Sequence, residues 1–274
     1  MVFSADIPIK QVACTRRKPN LTHQEFLDYH FQRHGALADE PEERALKPSR
    51  YTQTHIFDAA FGGRSDGLPN ANHAWVGRDD ITELFFRNVA HLKTCMFSDF
   101  VKERIGPDAA HFADFEVAIS VMANEKTVKT IEEVEVADQQ EFASLLFLSP
   151  ADNDPDGTEL EKTVSPELLA ALEKHASGKV RAVLANVGVE IPGLDPRQYF
   201  GGKDMPVFSL VYKVYLGGSR DDTTMIRAAE AALQKSVPDR VNWNNSFVVF
   251  GYEALILDHE KSVRFDPKRQ PRLF

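Results

Sequence analysis

The order of hydrophobic patterns constrains this chain more than any single residue does, because the order occurs twice. Residues 9–15, 51–57, 81–86 and 115–121 read as strands, with amphipathic helices after the first and the third. Thr22 and Glu25 have the spacing of a capping box, so the first helix should run from there through His34, with Gly35 as its stop. The second helix spans about residues 88–104. On the fourth strand Phe115, Val117, Ile119 and Val121 alternate with smaller or polar residues. The series then returns: strands at 142–148, 181–189, 208–216 and 247–257, a helix from Ser165-Pro166 to about residue 176, and another over 223–236.

A strand-helix-strand-strand-helix-strand unit is the split, ferredoxin-like arrangement. Each unit buries one sheet face under its own helices and leaves the other uncovered. Two units in one chain can cover each other's open faces, as two subunits of a homodimer would. The repeat is one of pattern, with little residue identity between the halves. The expected organisation is a first domain over residues 1–125, a polar, acidic linker over 126–140, and a second domain over 141–274. Between the second and third strands, residues 58–79 form a long Gly-, Asn- and Asp-rich stretch with His73 and Trp75, read as a lid or a plain surface loop.

The bulk properties exclude several classes. A formal net charge of −9 argues against a nucleic-acid partner. No apolar run reaches the roughly 20 residues that cross a bilayer, and the first residues lack the pattern of a signal peptide. Cys14 and Cys95 are the only cysteines, too few for a disulfide framework and without metal-ligand spacing. A cytoplasmic protein with a small-molecule partner is expected, with no membrane or nucleic-acid partner and with homodimer formation left open. No phosphate-binding glycine motif is present.

Seven of the nine histidines lie in the first 111 residues. His30 and His34 are four apart on the first helix and share a face. Tyr51, Gln53 and His55 alternate on the second strand and share another. If the two faces meet, a pocket gains imidazoles, a phenol and an amide. The same i, i+4 histidines could hold a metal with His55 as third ligand. The glutamate of the helical zinc motif is missing, so neither metal nor organic cofactor is expected.

Several blocks, in order, resemble the EthD-domain family: RRKPNLTHQEFLDYHFQRHGAL from Arg16, RYTQTHI from Arg50, DDITELFFRNVAHL from Asp79 and IGPDAAHFAD from Ile105. The resemblance covers about residues 8–125. Ala36 stands where that family usually has proline, and Asp80 where glycine is common. It implies an α+β fold in which two ferredoxin-like halves build a dimeric α+β barrel, here within one chain. It also implies cofactor-independent action on small aromatic or polyketide-derived molecules in the barrel interior. Family activities include decarboxylation, dehydration, cyclisation and lactone isomerisation, and structural relatives oxidise phenolic substrates with dioxygen. Fold alone does not choose among these.

On that basis His34, His55 and Tyr51 are the candidate catalytic groups, for proton transfer and for holding an oxyanion or enolate. The helix C-terminus would favour protonated His34. Gln53, His30, Tyr29, Glu83 and Phe97 are candidate substrate-binding residues. For each a plainer role competes: helix capping for His34, packing under a helix for Tyr51, His55 and His30, a structural hydrogen bond for Gln53, a salt bridge for Glu83, and core packing for Phe97 and Phe100. His91, His111 and Asp99 read as surface residues. The resulting expectation is a lyase or cyclase of secondary metabolism, its substrate in the apolar barrel of the first half. A cofactor-free monooxygenase and a non-catalytic binding protein are the alternatives.

Overall fold

The structure, a computed structural model, describes residues 7–62, 76–136 and 140–273. Eight strands form it: β1 (Ile9–Thr15), β2 (Arg50–Phe61), β3 (Asp80–Phe86), β4 (Ile119–Thr130), β5 (Glu141–Leu148), β6 (Val180–Gly188), β7 (Leu210–Leu216) and β8 (Phe247–Asp258). They close into a barrel in the order β1-β3-β2-β8-β5-β7-β6-β4, antiparallel throughout. Within it β4-β1-β3-β2 is a ferredoxin-like sheet from the first half and β8-β5-β7-β6 its counterpart from the second. The sheets join along β2/β8 and β4/β6, so neither half keeps an open edge.

Alternation along the strands sorts side chains between barrel interior and helix-covered exterior. Inside, Val12, Ile56, Val121, Leu145, Val211 and Val249 belong to one apolar cluster drawn from all eight strands. Beside it lies a buried ionic cluster. Lys10 sits 2.5 Å from Glu83, Lys213 bonds Glu83 and lies 2.7 Å from Glu253, and the Tyr215 hydroxyl donates to Glu253 at 2.7 Å. The barrel interior is therefore occupied by hydrocarbon and paired charge. The expected location of a substrate chamber, inside the barrel, does not match this packing.

Outside the second sheet pack α5 (Thr158–His175) and α7 (Thr223–Ser236), burying Leu160, Leu168, Ile226 and Leu233 against its outer face. Outside the first sheet the cover is less regular. A continuous helix is built of α1 (His23–Asp28), a π-helical segment Tyr29–Gly35 and α2 (Ala36–Ala38). The capping box of Thr22 and Glu25 forms as expected. Gly35, expected to stop the helix, is helical; a side chain there would press on Ile256, with its Cβ 3.2 Å from Cδ1, so the glycine serves close packing.

The second helix also differs. It divides into α3 (Val89–Met96), a π-helical segment Val101–Ile105 and α4 (Gly106–Ala109). Ser98 interrupts it, because its hydroxyl donates to the Cys95 carbonyl at 2.7 Å and accepts from the Val101 amide at 3.2 Å. Phe115–Val117 is a 3₁₀ turn that Asp114 caps, so β4 starts at Ile119 and not at residue 115. It runs on to Thr130, which makes residues 126–130 of the expected linker part of the barrel. Helix α5 begins at Thr158, well before Pro166, with Glu159 and Glu161 favourably placed in its first turn. Strand β2 extends through Phe61; His73 and Trp75 lie outside the described residues. A short helix, α6 (Pro196–Phe200), belongs to the β6–β7 connection and reaches the first half. Among the described residues no helix is long and apolar enough to cross a membrane. Cys14 and Cys95 are buried free thiols.

Candidate functional site

The outer face of the first sheet carries three cross-strand rows. Met122, Gln11, Leu84 and Tyr51 form one, Ser120, Ala13, Thr82 and Gln53 the next, and Thr15, Asp80 and His55 the third. The polar residues on it follow from alternation alone, since Tyr51, Gln53 and His55 all point away from the interior. Above this face, the helix through residues 23–38 and the broken α3–α4 segment leave a cavity of about 330 Å³. His34, His30, Tyr51, Thr82, Phe100 and Phe112 are among its walls, and the second half contributes Tyr199 and Phe200 from α6. Most of the lining is apolar, and the volume is that of a small-ligand site.

His34 occupies the helix side. Its Nδ1 lies 2.7 Å from Asp108 Oδ2, and the other carboxylate oxygen accepts from the Tyr29 hydroxyl at 2.8 Å. Hydrogen bonds from His34 and Tyr29 hold the Asp108 carboxyl below the ordinary carboxylate range. Burial lowers the His34 pKa, and the bond to Asp108 opposes that only in part. The expected gain in basicity from the helix terminus is therefore overridden by desolvation. An ionised carboxylate can only accept, so Nδ1 carries the proton and Nε2 is left as a free base.

Tyr29 and His34 reach one carboxylate because the helix is π-helical between them. Five residues on an α-helix are about 140° apart, whereas the wider π turn brings i and i+5 together. His30 and His34 remain neighbours, their rings 5.5 Å apart.

Tyr51, His30 and Gln53 meet on the sheet side. The Tyr51 oxygen lies 3.2 Å from His30 Nε2 and accepts from Gln53 Nε2 at 2.5 Å; the Gln53 amide also donates to the His30 carbonyl at 3.2 Å. His55 stands behind Gln53, its Nε2 3.3 Å from the amide oxygen, and does not line the cavity. Burial depresses His30 to about 3 and His55 to about 4, so both are neutral in ordinary buffers. Burial raises Tyr51 far above its ordinary range, and a phenol rather than a phenolate faces the cavity.

Two residues named from the sequence lie elsewhere. Glu83 points into the barrel, between Lys10 and Lys213, on the opposite sheet face from Tyr51. Phe97 is 38% exposed and packs edge-on against Tyr199, outside the cavity wall. His91, expected at the surface, is buried: its Nε2 lies 2.9 Å from the Lys47 carbonyl, fixing the start of α3 against the preceding turn. Asp99 is exposed as expected.

The sequence reading did not single out Asp108, Asp80, Thr82 or Phe112. Asp108 stands in the IGPDAAHFAD block, and its one sequence signal is an acidic residue directly after Gly-Pro. Asp80 stands out in the sequence only as a departure from the glycine common in the family. Among the described residues no group of three or more His, Cys, Asp or Glu is placed to hold a metal ion.

Residues 18–116 match the EthD domain family. No curated protein matches the sequence. Among solved structures, one described as an anthrone oxidase-like protein superposes with a TM-score of 0.57 at 11% identity, over 93% of this chain and 95% of that one. It shares the fold. A variant chlorite dismutase from Candidatus Nitrospira defluvii aligns over 90% of this chain and 92% of its own at 9% identity, with a TM-score of 0.44, too low to carry an argument. The EthD-like stretch thus lies in the first half of the chain, set in an α+β barrel that the second half completes.

Proposed function

We propose that the chain is a small-molecule enzyme that works by proton transfer on an enolisable aromatic or polyketide-derived substrate held between the first sheet and its helices. One observation carries this reading: a histidine base backed by Asp108 opens, opposite a phenol donor, onto a mostly apolar cavity of about 330 Å³. His34 Nε2 takes the proton from carbon beside a carbonyl, and the imidazolium that forms is stabilised by Asp108. The Tyr51 hydroxyl, supported by Gln53, faces the oxygen on which enolate charge develops. An apolar wall strengthens both contacts by excluding water. Decarboxylation, dehydration and cyclisation all pass through such an enolate.

A cofactor-free oxygenase is the second reading. It is favoured by the name of the anthrone oxidase-like structure, since an anthrone is an enolisable aromatic ketone and its oxidation begins with the same proton removal. Turnover with and without dioxygen separates the two.

The test is hydrogen–deuterium exchange at the α-carbon of a panel of aromatic ketones and β-keto acids, followed by product analysis. The wild-type protein should catalyse exchange. His34→Ala should slow it about 10²- to 10⁴-fold, and Asp108→Asn by a smaller factor with little change in KM. Binding without exchange, or full activity in His34→Ala, would defeat the reading.

A further inference from the structure

Behind Tyr51 lies a buried polar chain that the proposed mechanism leaves unused. Gln53 donates to the Tyr51 oxygen, so the Tyr51 proton must go elsewhere. Its outlets are His30 Nε2 at 3.2 Å and the cavity that Tyr51 lines, with the Thr82 hydroxyl, which donates to Asp80 and lies 3.5 Å from the same His30 nitrogen, as a further neighbour. On the far side of the imidazole, His30 Nδ1 has no hydrogen-bond partner among the described residues and lies 3.3 Å from Asp80 Oδ1. Asp80 is fully buried and, among the described residues, its Oδ2 has no hydrogen-bond partner; besides His30, its cross-strand neighbour His55 is the nearest group to oppose its charge. Among the described residues only Thr82 donates to it, weakly, at 3.3 Å.

The ring can satisfy its neighbours in two ways. With Asp80 ionised, the imidazole proton sits on Nδ1 facing the carboxylate, and Nε2 accepts the Tyr51 proton. With Asp80 protonated, the carboxylic acid donates to a bare Nδ1 and the imidazole proton moves to Nε2. There it joins Gln53 in donating to the Tyr51 oxygen, and the Tyr51 proton turns toward the cavity. We infer that Asp80 is a positioning residue whose protonation state, read through the tautomer of His30, decides whether the Tyr51 hydroxyl donates to His30 or to a ligand oxygen. The assignment goes beyond the proposed function, and only its ligand side rests on that reading.

Other charges near this chain are accounted for. Asp79 is held by Arg17, with His23 3.8 Å away. Asp108 is engaged by His34 and Tyr29, His55 stays neutral, and the buried Cys14 thiol is pushed above its ordinary range. Asp80 itself is raised to about 7 by burial, within the range in which a switch can be followed.

The experiment is ¹⁵N imidazole NMR of the full chain from pH 5.5 to 9. His30 should remain neutral throughout and pass from the Nε2–H to the Nδ1–H tautomer as pH rises through about 7. In Asp80→Asn the tautomer should no longer respond to pH. A single tautomer across the range in the wild-type protein overturns the inference, as does a transition that persists in Asp80→Asn. If that variant does not fold, the wild-type titration still decides. For the ligand side, xanthone serves as a non-titrating aromatic ketone probe. It should bind about fivefold more tightly at pH 6 than at pH 8.5, the worth of one hydrogen bond of about 1 kcal/mol. PH-independent binding overturns the role given to Tyr51. Absence of xanthone binding beside a clear tautomer change refutes the reading of the cavity and leaves the switch intact.

Discussion

Burial governs protonation at each histidine around the cavity, and this has consequences for stability. His30 and His55 fall to about 3 and about 4 from an ordinary 6.5, so the unfolded chain takes up protons below pH 6.5 that the folded chain refuses. Their contribution is present above pH 6.5 and is lost as pH falls toward 4. Asp80 acts in the opposite sense. Its carboxyl, raised to about 7 from 3.8, favours the folded state at low pH, and that contribution is lost as pH rises through 7. Between pH 4 and 6.5 two protons oppose one, so these groups together should raise stability with pH. Urea midpoints should be higher at pH 7 than at pH 5, and Asp80→Asn should be more stable than the wild-type protein at pH 8. A wild-type midpoint that falls from pH 5 to pH 7 would contradict the assignment of neutral, desolvated histidines.

At the scale of elements, the helix over the first sheet shows how one irregularity shapes a site. The π-helical turn aligns Tyr29 with His34 on Asp108, while Gly35 lets the helix lie against Ile256 and Phe265 on the side away from the cavity. Gly35→Val should overpack that contact and cost about 1–3 kcal/mol, measured by chemical denaturation. Gly35→Ala should be far milder, because Ala gains about 1 kcal/mol of helix propensity over Gly and the nearest atom is the end of an isoleucine side chain. Equal losses for the two variants would mean that close packing is not the reason for glycine. Helix α6 acts across the molecule: the Tyr199 hydroxyl bonds the Met96 carbonyl, and Phe200 joins the cavity wall. Phe200→Ala should therefore weaken xanthone binding and also lower the unfolding midpoint, because Phe200 packs against the Ile9, Phe86 and Leu92 cluster.

On the scale of the whole molecule, the barrel interior joins the two halves more tightly than a linker does. Lys10 and Glu83 come from the first sheet, Lys213 and Glu253 from the second, and all four are at most 2% exposed. Removing one member leaves a buried charge without its partner, so Lys213→Met should destabilise by about 3–5 kcal/mol. The double variant Lys213→Met/Glu83→Gln should recover part of that loss, read from denaturation curves. The apolar interior has the same divided origin, so a fragment ending at residue 130 should expose it and associate or unfold; a stable monomeric fragment would argue against a shared core.

Much of this architecture was legible without coordinates. Period-two alternation, a capping box and the repeated element order were enough for two ferredoxin-like sheets, because those signals are local. Spacing also placed His30 with His34 on one face and Tyr51, Gln53 and His55 on another, while leaving open whether the two faces meet. Three things did not follow from local pattern. The chamber's location depends on which sheet face fills with side chains, and only the closed barrel shows that the interior is packed. Asp108 and Asp80 acquire meaning through contacts spanning 74 and 50 residues of sequence, which no local pattern encodes. The π-helical turn has no propensity signal of its own, being the result of how the helix settles on the sheet. Local pattern in the sequence set out the strands, the helices and their partition between two halves; tertiary packing decided where water is excluded, and thus which of the described histidines beside the cavity have their basicity lowered by burial.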